Sequence, residues 1–114
     1  MIIVATELHV RNFWHFFEFA VLSVRSMKQA KKSAGCIYAT ATNNKGWRIG
    51  YTLTTWENEE VMLQFRNTGA HKEAMKKIRK LSHQYKTLRW ESDKPVNWQE
   101  AKSRLAETVF KVLK

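Results

Sequence analysis

The sequence predicts an α+β fold with the ferredoxin-like order βαββαβ and an extra C-terminal helix. Two observations predict this class. Segments in which apolar and polar residues alternate, as they do in strands, are separated by segments whose apolar residues recur every three or four positions, as in amphipathic helices. The 114 residues contain neither an internal repeat nor a low-complexity tract, so we expect one domain over residues 1–114.

The first two elements are predicted to be a strand and a long helix. Residues 2–10 alternate, and Asn12 is a suitable N-cap for the helix that begins at Phe13. This helix is expected to run for about five turns and to end near Gly35, a residue that suits a helix C-cap. The stripe expected to be buried consists of apolar residues at helical spacing, namely Phe16, Phe17, Ala20, Val21, Val24 and Met27.

A β-hairpin is predicted next. Residues 36–42 read as a strand with short side chains, residues 43–46 as a turn, and residues 47–56 as a strongly alternating strand. One face of that strand carries Trp47, Ile49, Tyr51, Leu53 and Thr55, and the other carries Arg48, Gly50, Thr52, Thr54 and Trp56. Threonines that end in a tryptophan, rather than charged residues, indicate that the second face lines a semi-polar pocket covered by helices.

The second half of the chain is predicted to add a split helix, a strand and a last helix. Residues 57–67 have acidic residues where a helix begins, and a Thr-Gly pair separates this helix from a second helical run. Residues 85–91 read as the fourth strand, and Asn97 is expected to cap a C-terminal helix of about residues 97–113. The apolar stripes of the last two helices hold His71, Ala74, Met75, Ile78 and Leu81, and Trp98, Ala101, Leu105, Val109 and Val112.

The composition indicates a strongly basic protein. Twenty Lys and Arg residues against ten Asp and Glu residues give a formal net charge of +10, which attracts polyanions and anionic membrane surfaces. Because these basic residues are spread over three predicted helices, solvated helix faces account for most of them. Arg25 and Arg48 are the cations expected nearest to the sheet, with solvated surface as the alternative for each.

Cysteine and hydropathy patterns predict a cytoplasmic protein. Cys36 is the one cysteine in the sequence, so it cannot form an internal disulfide, and a reducing compartment suits it best. No segment approaches the roughly 20 apolar residues that a membrane-spanning helix needs, so no membrane span is expected. His9, His15 and His83 do not form a ligand set, which argues against a metal site.

Several short motifs resemble those of one known protein family. They are Trp56-Glu57 at the end of a strand, the run from Phe65 to His71 between two helices, Trp90-Glu91, and the set Pro95, Trp98 and Ala101. Together they resemble the antibiotic biosynthesis monooxygenase family of the dimeric α+β barrel superfamily, most closely its small basic members. The resemblance implies that two sheets pack face to face in a homodimer, which would cover the apolar face of the third strand.

The resemblance also implies an activity. Monooxygenases of this type need neither metal nor flavin, because an electron-rich substrate such as a phenol or quinol is deprotonated and reacts with oxygen itself. The protein then supplies a dry cavity, a base and a partner for the oxyanion. We therefore expect a monooxygenase-like protein without a cofactor, which acts on or binds a small aromatic or apolar metabolite between the sheet and the helices.

Six residues are candidates for the site. His71 is the predicted catalytic base, since histidine titrates near neutral pH and stands here on an apolar stripe; the alternative is a hydrogen bond to a backbone carbonyl. The predicted substrate-binding residues are Thr6, Thr52, Thr54, Trp56 and Met75. The threonines could orient a substrate oxygen, although strands favour β-branched residues in any case, and Trp56 could equally be core. Met75 stands where haem-degrading relatives have their axial histidine, which argues against haem degradation and leaves haem binding through His71 open.

Two other classes of function stay open at this point. A barrel that binds a small apolar molecule without turnover would use the same residues. RNA-recognition domains share the βαββαβ topology, and residues 45–51 faintly resemble their third-strand motif. However, Arg48 and Ile49 stand where that motif needs a small residue and an aromatic one, and Ile3 stands where a stacking ring is needed. Nucleic-acid binding is therefore the weakest of the alternatives.

Overall fold

The structure is a computed structural model that describes residues 1–44, 46, 48–108 and 111–112. Only the backbone is described for Phe13, Ala70, His71, Ala74, Ile78, Arg79, Lys111 and Val112. The elements follow one another as β1 (Ile2–Val10), α1 (Phe13–Lys32), β2 (Cys36–Asn43), β3 (Ile49–Trp56), α2 (Glu59–Arg66), α3 (Gly69–Leu81), β4 (Ser82–Glu91), α4 (Trp98–Ala106) and β5 (Lys111–Val112). No helix within the described residues has the length and apolar character of a membrane span.

The strands form an antiparallel sheet in the order β2-β3-β1-β4-β5. β1 lies in the middle, where it pairs with β3 on one side and with β4 on the other. In this register Thr6 of β1 stands opposite Thr52 of β3 and Thr87 of β4. The order of the first four strands is that of the ferredoxin-like fold, so the predicted fold class is confirmed.

Helices pack on both faces of the sheet. α1, α2 and α3 lie over the face that carries Trp56, where Met27 of α1 and Phe65 of α2 belong to one buried cluster. α4 lies on the opposite face, where Leu105 packs with Leu53 in a second buried cluster. We expected a partner subunit to cover this second face, whereas the last helix of the same chain covers part of it. The homodimer itself stays a prediction.

Asparagines begin three of the helices. The Oδ1 atoms of Asn12 and Asn97 accept hydrogen bonds from backbone N–H groups at 3.0 and 2.9 Å, which confirms both predicted caps. Asn58 caps α2 in the same way at 3.0 Å, so this helix begins at Glu59, two residues later than predicted. Gly69, with a φ of +60°, lies at the predicted break between α2 and α3.

The C-terminal end of α1 differs from the prediction. The helix ends at Lys32 and its C-cap is Ser33, whose N–H donates to the carbonyl of Ala30 at 2.9 Å. Gly35, the predicted cap, lies in the following turn with a φ of +84°. A Cβ at this position would lie 2.6 Å from a methyl group of Val61, so the turn needs glycine for both its φ and the space.

The apolar residues of α1 belong to two stripes rather than to one. Phe16 and Met27 are buried as predicted, but Phe17, Val21 and Val24 are exposed to solvent. A helix turns by about 100° per residue, so these three positions lie roughly opposite to the residues that face the sheet. Our prediction merged the two stripes because both are apolar and both follow helical spacing.

The C-terminal helix is shorter than the predicted 97–113. α4 ends at Ala106, where the N–H groups of Glu107 and Thr108 bond to carbonyls three residues earlier, at 3.2 and 3.0 Å. Val112, predicted to lie on the helix, is in β5 and pairs with Gln84 of β4; Val109 lies outside the described residues. β-branched residues favour strands, and the outer edge of β4 offers backbone groups to pair with.

Strand boundaries differ by a few residues from those predicted. β2 extends to Asn43, and β4 begins at Ser82 rather than at residue 85. β3 begins at Ile49, and Trp47, which we expected at its start, lies outside the described residues. These shifts leave the predicted assignment of alternate residues to the two faces of β3 unchanged.

Candidate functional site

A cavity of about 590 Å³ lies between the sheet and helices α1, α2 and α3. This is where the sequence predicts a pocket, and the volume falls within the range of about 300–1,000 Å³ that small-molecule sites occupy. Its apolar wall comes from all three helices and includes Phe19, Leu22, Met27, Met62, Phe65 and Leu81. The cavity is therefore suited to a ligand that is largely apolar.

The structure brings the predicted substrate-binding residues together. The residues Thr6, Thr52, Thr54, Trp56 and Met75 all line the cavity. The alternation of each strand and the register of the sheet place Thr52, Thr6 and Thr87 side by side across β3, β1 and β4. The hydroxyl oxygens of Thr6 and Thr87 lie 3.1 Å apart. The floor of the cavity thus presents a row of hydroxyl groups to a ligand.

Thr87 also lines the cavity and was absent from the predicted site. The alternation of β4 places it on one face with Tyr85 and Arg89. Which face of β4 borders the cavity depends on how β4 pairs with β1, and β1 lies at the other end of the chain. The sequence carries no local signal for that pairing.

Two buried hydrogen-bond donors belong to residues that line the cavity. Trp56 is fully buried, packs against Phe65 with a ring-centroid distance of 4.9 Å, and is therefore both core and pocket wall. Its Nε1 atom and the Oγ atom of Ser26 are buried and have no hydrogen-bond partner among the described residues. The other buried side-chain atoms of this kind, on His15, Thr55 and Trp90, do not line the cavity. These two donors could therefore bond to oxygen atoms of a ligand.

Two arginines stand at the opening of the cavity, where the lining residues are exposed. Arg66 is the last residue of α2, and Arg89 lies on β4 with its Nη1 atom 2.9 Å from a carboxylate oxygen of Glu59. Both were missing from the predicted site. Arg25 and Arg48, the cations we expected nearest to the sheet, are exposed and do not line the cavity, as the alternative of solvated surface predicts.

Met75 marks the opening on the side of α3, because it lines the cavity and has 46% of its surface exposed. His71 lies four residues earlier in the same helix. Its side chain is outside the described residues, so its role as the catalytic base stays a prediction.

The described wall of the cavity can bind and orient a ligand but offers few groups that exchange protons. It contains no carboxylate, imidazole or thiol among its described residues, and its titratable groups are the guanidinium groups and the phenol of Tyr85. Nor do the described residues contain a cluster of histidine, cysteine and acidic side chains that could hold a metal ion. A general base would have to come from elsewhere, and His71 is the predicted one.

Two residues outside the cavity have shifted pKa values. Burial raises the pKa of the Cys36 thiol, although a hydrogen bond with the backbone of Tyr38 and the charge of Lys31 act in the opposite direction. Burial, together with the negative charge of Glu7, raises the pKa of Tyr51. Both groups are therefore held in the neutral form more firmly than in an unfolded chain.

Helix α1 approaches the sheet closely at one end of the cavity. A Cβ at Gly50 of β3 would lie 1.9 Å from the Cε1 atom of Phe19, whose ring lines the cavity. A glycine at this position therefore allows the ring to rest on the backbone of the strand.

The fold and the cavity together define a small ferredoxin-like α+β protein with a mainly apolar cavity under its helices. No family model matches the chain, and no curated protein matches it. Its structure is similar to that of a Deinococcus radiodurans protein named for the antibiotic biosynthesis monooxygenases (TM-score 0.72, 15% identity), with 85% of this chain and 97% of that chain covered. It is also similar to SnoaB, a cofactor-independent oxygenase from Streptomyces nogalater (TM-score 0.67, 10% identity; 83% and 95% covered).

A third similar structure is a Bacteroides thetaiotaomicron protein named as a possible oxidoreductase, with a TM-score of 0.71, 18% identity, and 80% of this chain and 96% of that chain covered. These neighbours include the group that the short motifs resemble, so the resemblance is confirmed at the level of structure. At such low identities the likeness shows the fold.

Proposed function

We propose that this protein binds a small aromatic or apolar metabolite that carries an oxygen atom, and oxidises it with molecular oxygen without a cofactor. The observation that carries the proposal is the pair of buried donors, Ser26 Oγ and Trp56 Nε1, on residues that line a mainly apolar cavity. A buried donor without a partner costs about 1–3 kcal/mol. A ligand oxygen bonded to either donor would offset that cost, whereas a pure hydrocarbon would not.

The reaction is that of a phenol-like or quinol-like substrate with an acidic C–H or O–H bond. A base takes the proton, the electrons of the substrate reduce oxygen, one oxygen atom enters the product, and the other leaves as water. In this proposal His71 takes the proton, the threonine row orients the substrate, and the apolar wall excludes water from the reacting atoms. The name of SnoaB as a cofactor-independent oxygenase supports this reaction class.

One observation favours the alternative of binding without turnover. The described part of the wall contains no carboxylate, imidazole or thiol that could serve as the base. A protein that only binds or sequesters the metabolite would need the apolar wall, the hydroxyl row and the two buried donors, and nothing more. The two candidate functions therefore differ in whether His71 acts as a base.

RNA binding finds less support. A ferredoxin-like domain that stacks bases on its sheet needs one sheet face open to the nucleic acid. Here α1, α2 and α3 cover one face, and α4 packs on the other, where Leu53 is fully buried. The proposal therefore places the ligand inside the cavity and assigns the basic helix faces no base-reading role.

Oxygen consumption with a panel of quinols and polycyclic phenols tests the proposal. His71→Ala should lower the turnover rate by about 10²–10⁴-fold while ligand binding, followed by tryptophan fluorescence, is retained. His83→Ala is the matched control, since His83 is exposed on β4 and does not line the cavity. Turnover that survives in His71→Ala would exclude this residue as the base. Binding without oxygen consumption by any panel member would favour the non-catalytic alternative.

A homodimer in the cytoplasm is part of the same proposal. Support comes from Tyr38 on the edge strand β2, which is 47% exposed beside Pro95, Val96 and Trp98 on the α4 side of the sheet. Native mass spectrometry of the protein, purified without denaturation, measures both the assembly and any retained ligand. We expect a dimer with an added small-molecule mass, and a monomer at micromolar concentration would contradict the dimer.

A further inference from the structure

Helix α1 carries a second apolar surface on the side turned away from the cavity. Its residues are Trp14, Phe17, Val21 and Val24, which are 76, 53, 57 and 54% exposed. They are spaced by three or four residues and form one stripe, about 15 Å long at 1.5 Å per residue. We call these four residues the outer stripe. An exposed apolar stripe of this kind on a folded protein marks an interaction surface.

Basic residues lie beside the outer stripe and after it in α1. The basic residues that flank or follow it in α1 are all exposed, namely Arg25, Lys28, Lys31 and Lys32. The one acidic residue of α1 is Glu18, and its carboxylate oxygens lie 3.4 Å from Lys77 Nζ and 3.6 Å from Lys80 Nζ of α3. The exposed side of α1 therefore combines apolar side chains with charge of one sign.

We propose that the outer stripe docks on the surface of an anionic phospholipid bilayer. A helix that lies in the membrane interface buries aromatic and aliphatic side chains among the acyl chains, while lysines beside them contact lipid phosphates. The outer stripe supplies Trp14 and Phe17 for the first contact, and Lys28 and Lys31 supply the second. This proposal goes beyond the proposed function and does not depend on it.

Charge favours a bilayer over the two other occupants of such a surface. A second copy of the chain would bring another protein with a net charge of +10 against the same basic helix, and a parallel pairing would place Lys28 against Lys28. A nucleic acid would bind the lysines and could stack bases on Trp14 and Phe17, but it would leave Val21 and Val24 without an apolar partner. An anionic bilayer satisfies both the apolar and the basic part of the surface.

The position of α1 suggests what membrane docking would do for the protein. The side of α1 opposite to the outer stripe lines the cavity through residues such as Leu22 and Ser26. A bilayer bound to the outer stripe would therefore lie about one helix diameter, roughly 10 Å, from the cavity. An apolar ligand dissolved in the membrane would have a short path to the site.

Co-sedimentation with vesicles tests the proposal, with phosphatidylcholine alone compared with phosphatidylcholine mixed with phosphatidylglycerol. The full chain should bind the mixed vesicles, and Trp14→Ser combined with Phe17→Ser should lower the partition coefficient at least about tenfold. Ile37→Ser is the matched control, because Ile37 is an exposed apolar residue on β2, and it should bind like the unaltered protein. Circular dichroism checks that each variant is folded.

A second variant tests the charged part of the surface. Lys28→Glu combined with Lys31→Glu should also lower binding at least about tenfold, since the substitutions replace attraction to the anionic surface by repulsion. Equal binding to both kinds of vesicle, no binding to either, or unchanged binding in both double variants would overturn the proposal. So would a change of oligomeric state in the Trp14 and Phe17 variant without vesicle binding, which would assign the surface to a second copy. Binding of single-stranded RNA in place of vesicles would likewise overturn it.

Discussion

The two faces of the sheet have different roles, although neighbouring residues of the same strands form them. On the α4 face, Ala5 of β1 and Ala101 of α4 are fully buried, and their small side chains let the helix pack closely on the strand. On the other face, Thr6 lies beside a cavity of about 590 Å³ that three helices enclose without filling. One face thus contributes close packing, and the other gives up packing to make room for a ligand.

A pair of leucine substitutions should show the largest effect of this difference. Leu105→Ala removes a fully buried side chain from the α4 face and should lower the free energy of unfolding by about 2–5 kcal/mol. Leu22→Ala removes an almost equally buried side chain that borders the cavity, and should cost roughly 1–2 kcal/mol less, because fewer neighbouring atoms lose a contact. Urea unfolding followed by circular dichroism measures both. Equal losses would mean that the two faces are packed alike in solution.

A pair of serine substitutions should show smaller effects on stability, and the two substitutions should differ in sign. Ser26→Ala removes a buried hydroxyl that has no partner among the described residues, so the ligand-free protein should keep its stability or gain up to about 1 kcal/mol. Its affinity for an oxygen-bearing ligand should fall about fivefold. In Ser33→Ala the Oγ that donates to the carbonyl of Gln29 at 2.8 Å is lost, and stability should fall by about 1 kcal/mol. Thermal unfolding with and without ligand compares them, and a loss in Ser26→Ala as large as in Ser33→Ala would refute the unpaired state of Ser26.

The smallest of the expected effects concerns Tyr51 on the α4 face and the free energy of unfolding at alkaline pH. Burial and the charge of Glu7 raise the pKa of Tyr51 in the folded protein. A raised pKa of an acid adds stability below its unfolded pKa, and that stability is lost as the pH rises through the folded pKa. Tyr51→Phe should therefore lose less of its unfolding free energy above about pH 10 than the unaltered protein does. Urea unfolding at several alkaline pH values measures the difference, and equal losses in the two proteins would contradict the raised pKa of Tyr51.

The order of elements and the face of β3 that lines the cavity were predictable, because they depend on local patterns. Alternation alone places Thr52, Thr54 and Trp56 on one face, and the structure places that face under the helices. Asn12 and Asn97 were predictable as caps for the same reason, since a cap needs only the residues that follow it.

The features of the site that were not predicted depend on contacts between segments that are distant in the sequence. Thr87 and Arg89 line the cavity only because β4 pairs with β1, a register that no local pattern specifies. Ser26 Oγ has no partner among the described residues because of what surrounds it in space, and its position in α1 does not indicate this. Phe17, Val21 and Val24 of the outer stripe were wrongly predicted to be buried, because helical spacing shows that one side of a helix is apolar and does not show what covers it.

A substitution at Gly50 could change the size of the cavity, although Gly50 itself does not line it. Any larger side chain at this position would displace the ring of Phe19, since a Cβ would lie 1.9 Å from it, and the ring is part of the cavity wall. The displaced ring would either enter the cavity or move α1 away from the sheet. A single codon change could thus narrow or widen the range of ligands that the protein accepts, while every residue in contact with the ligand stays the same.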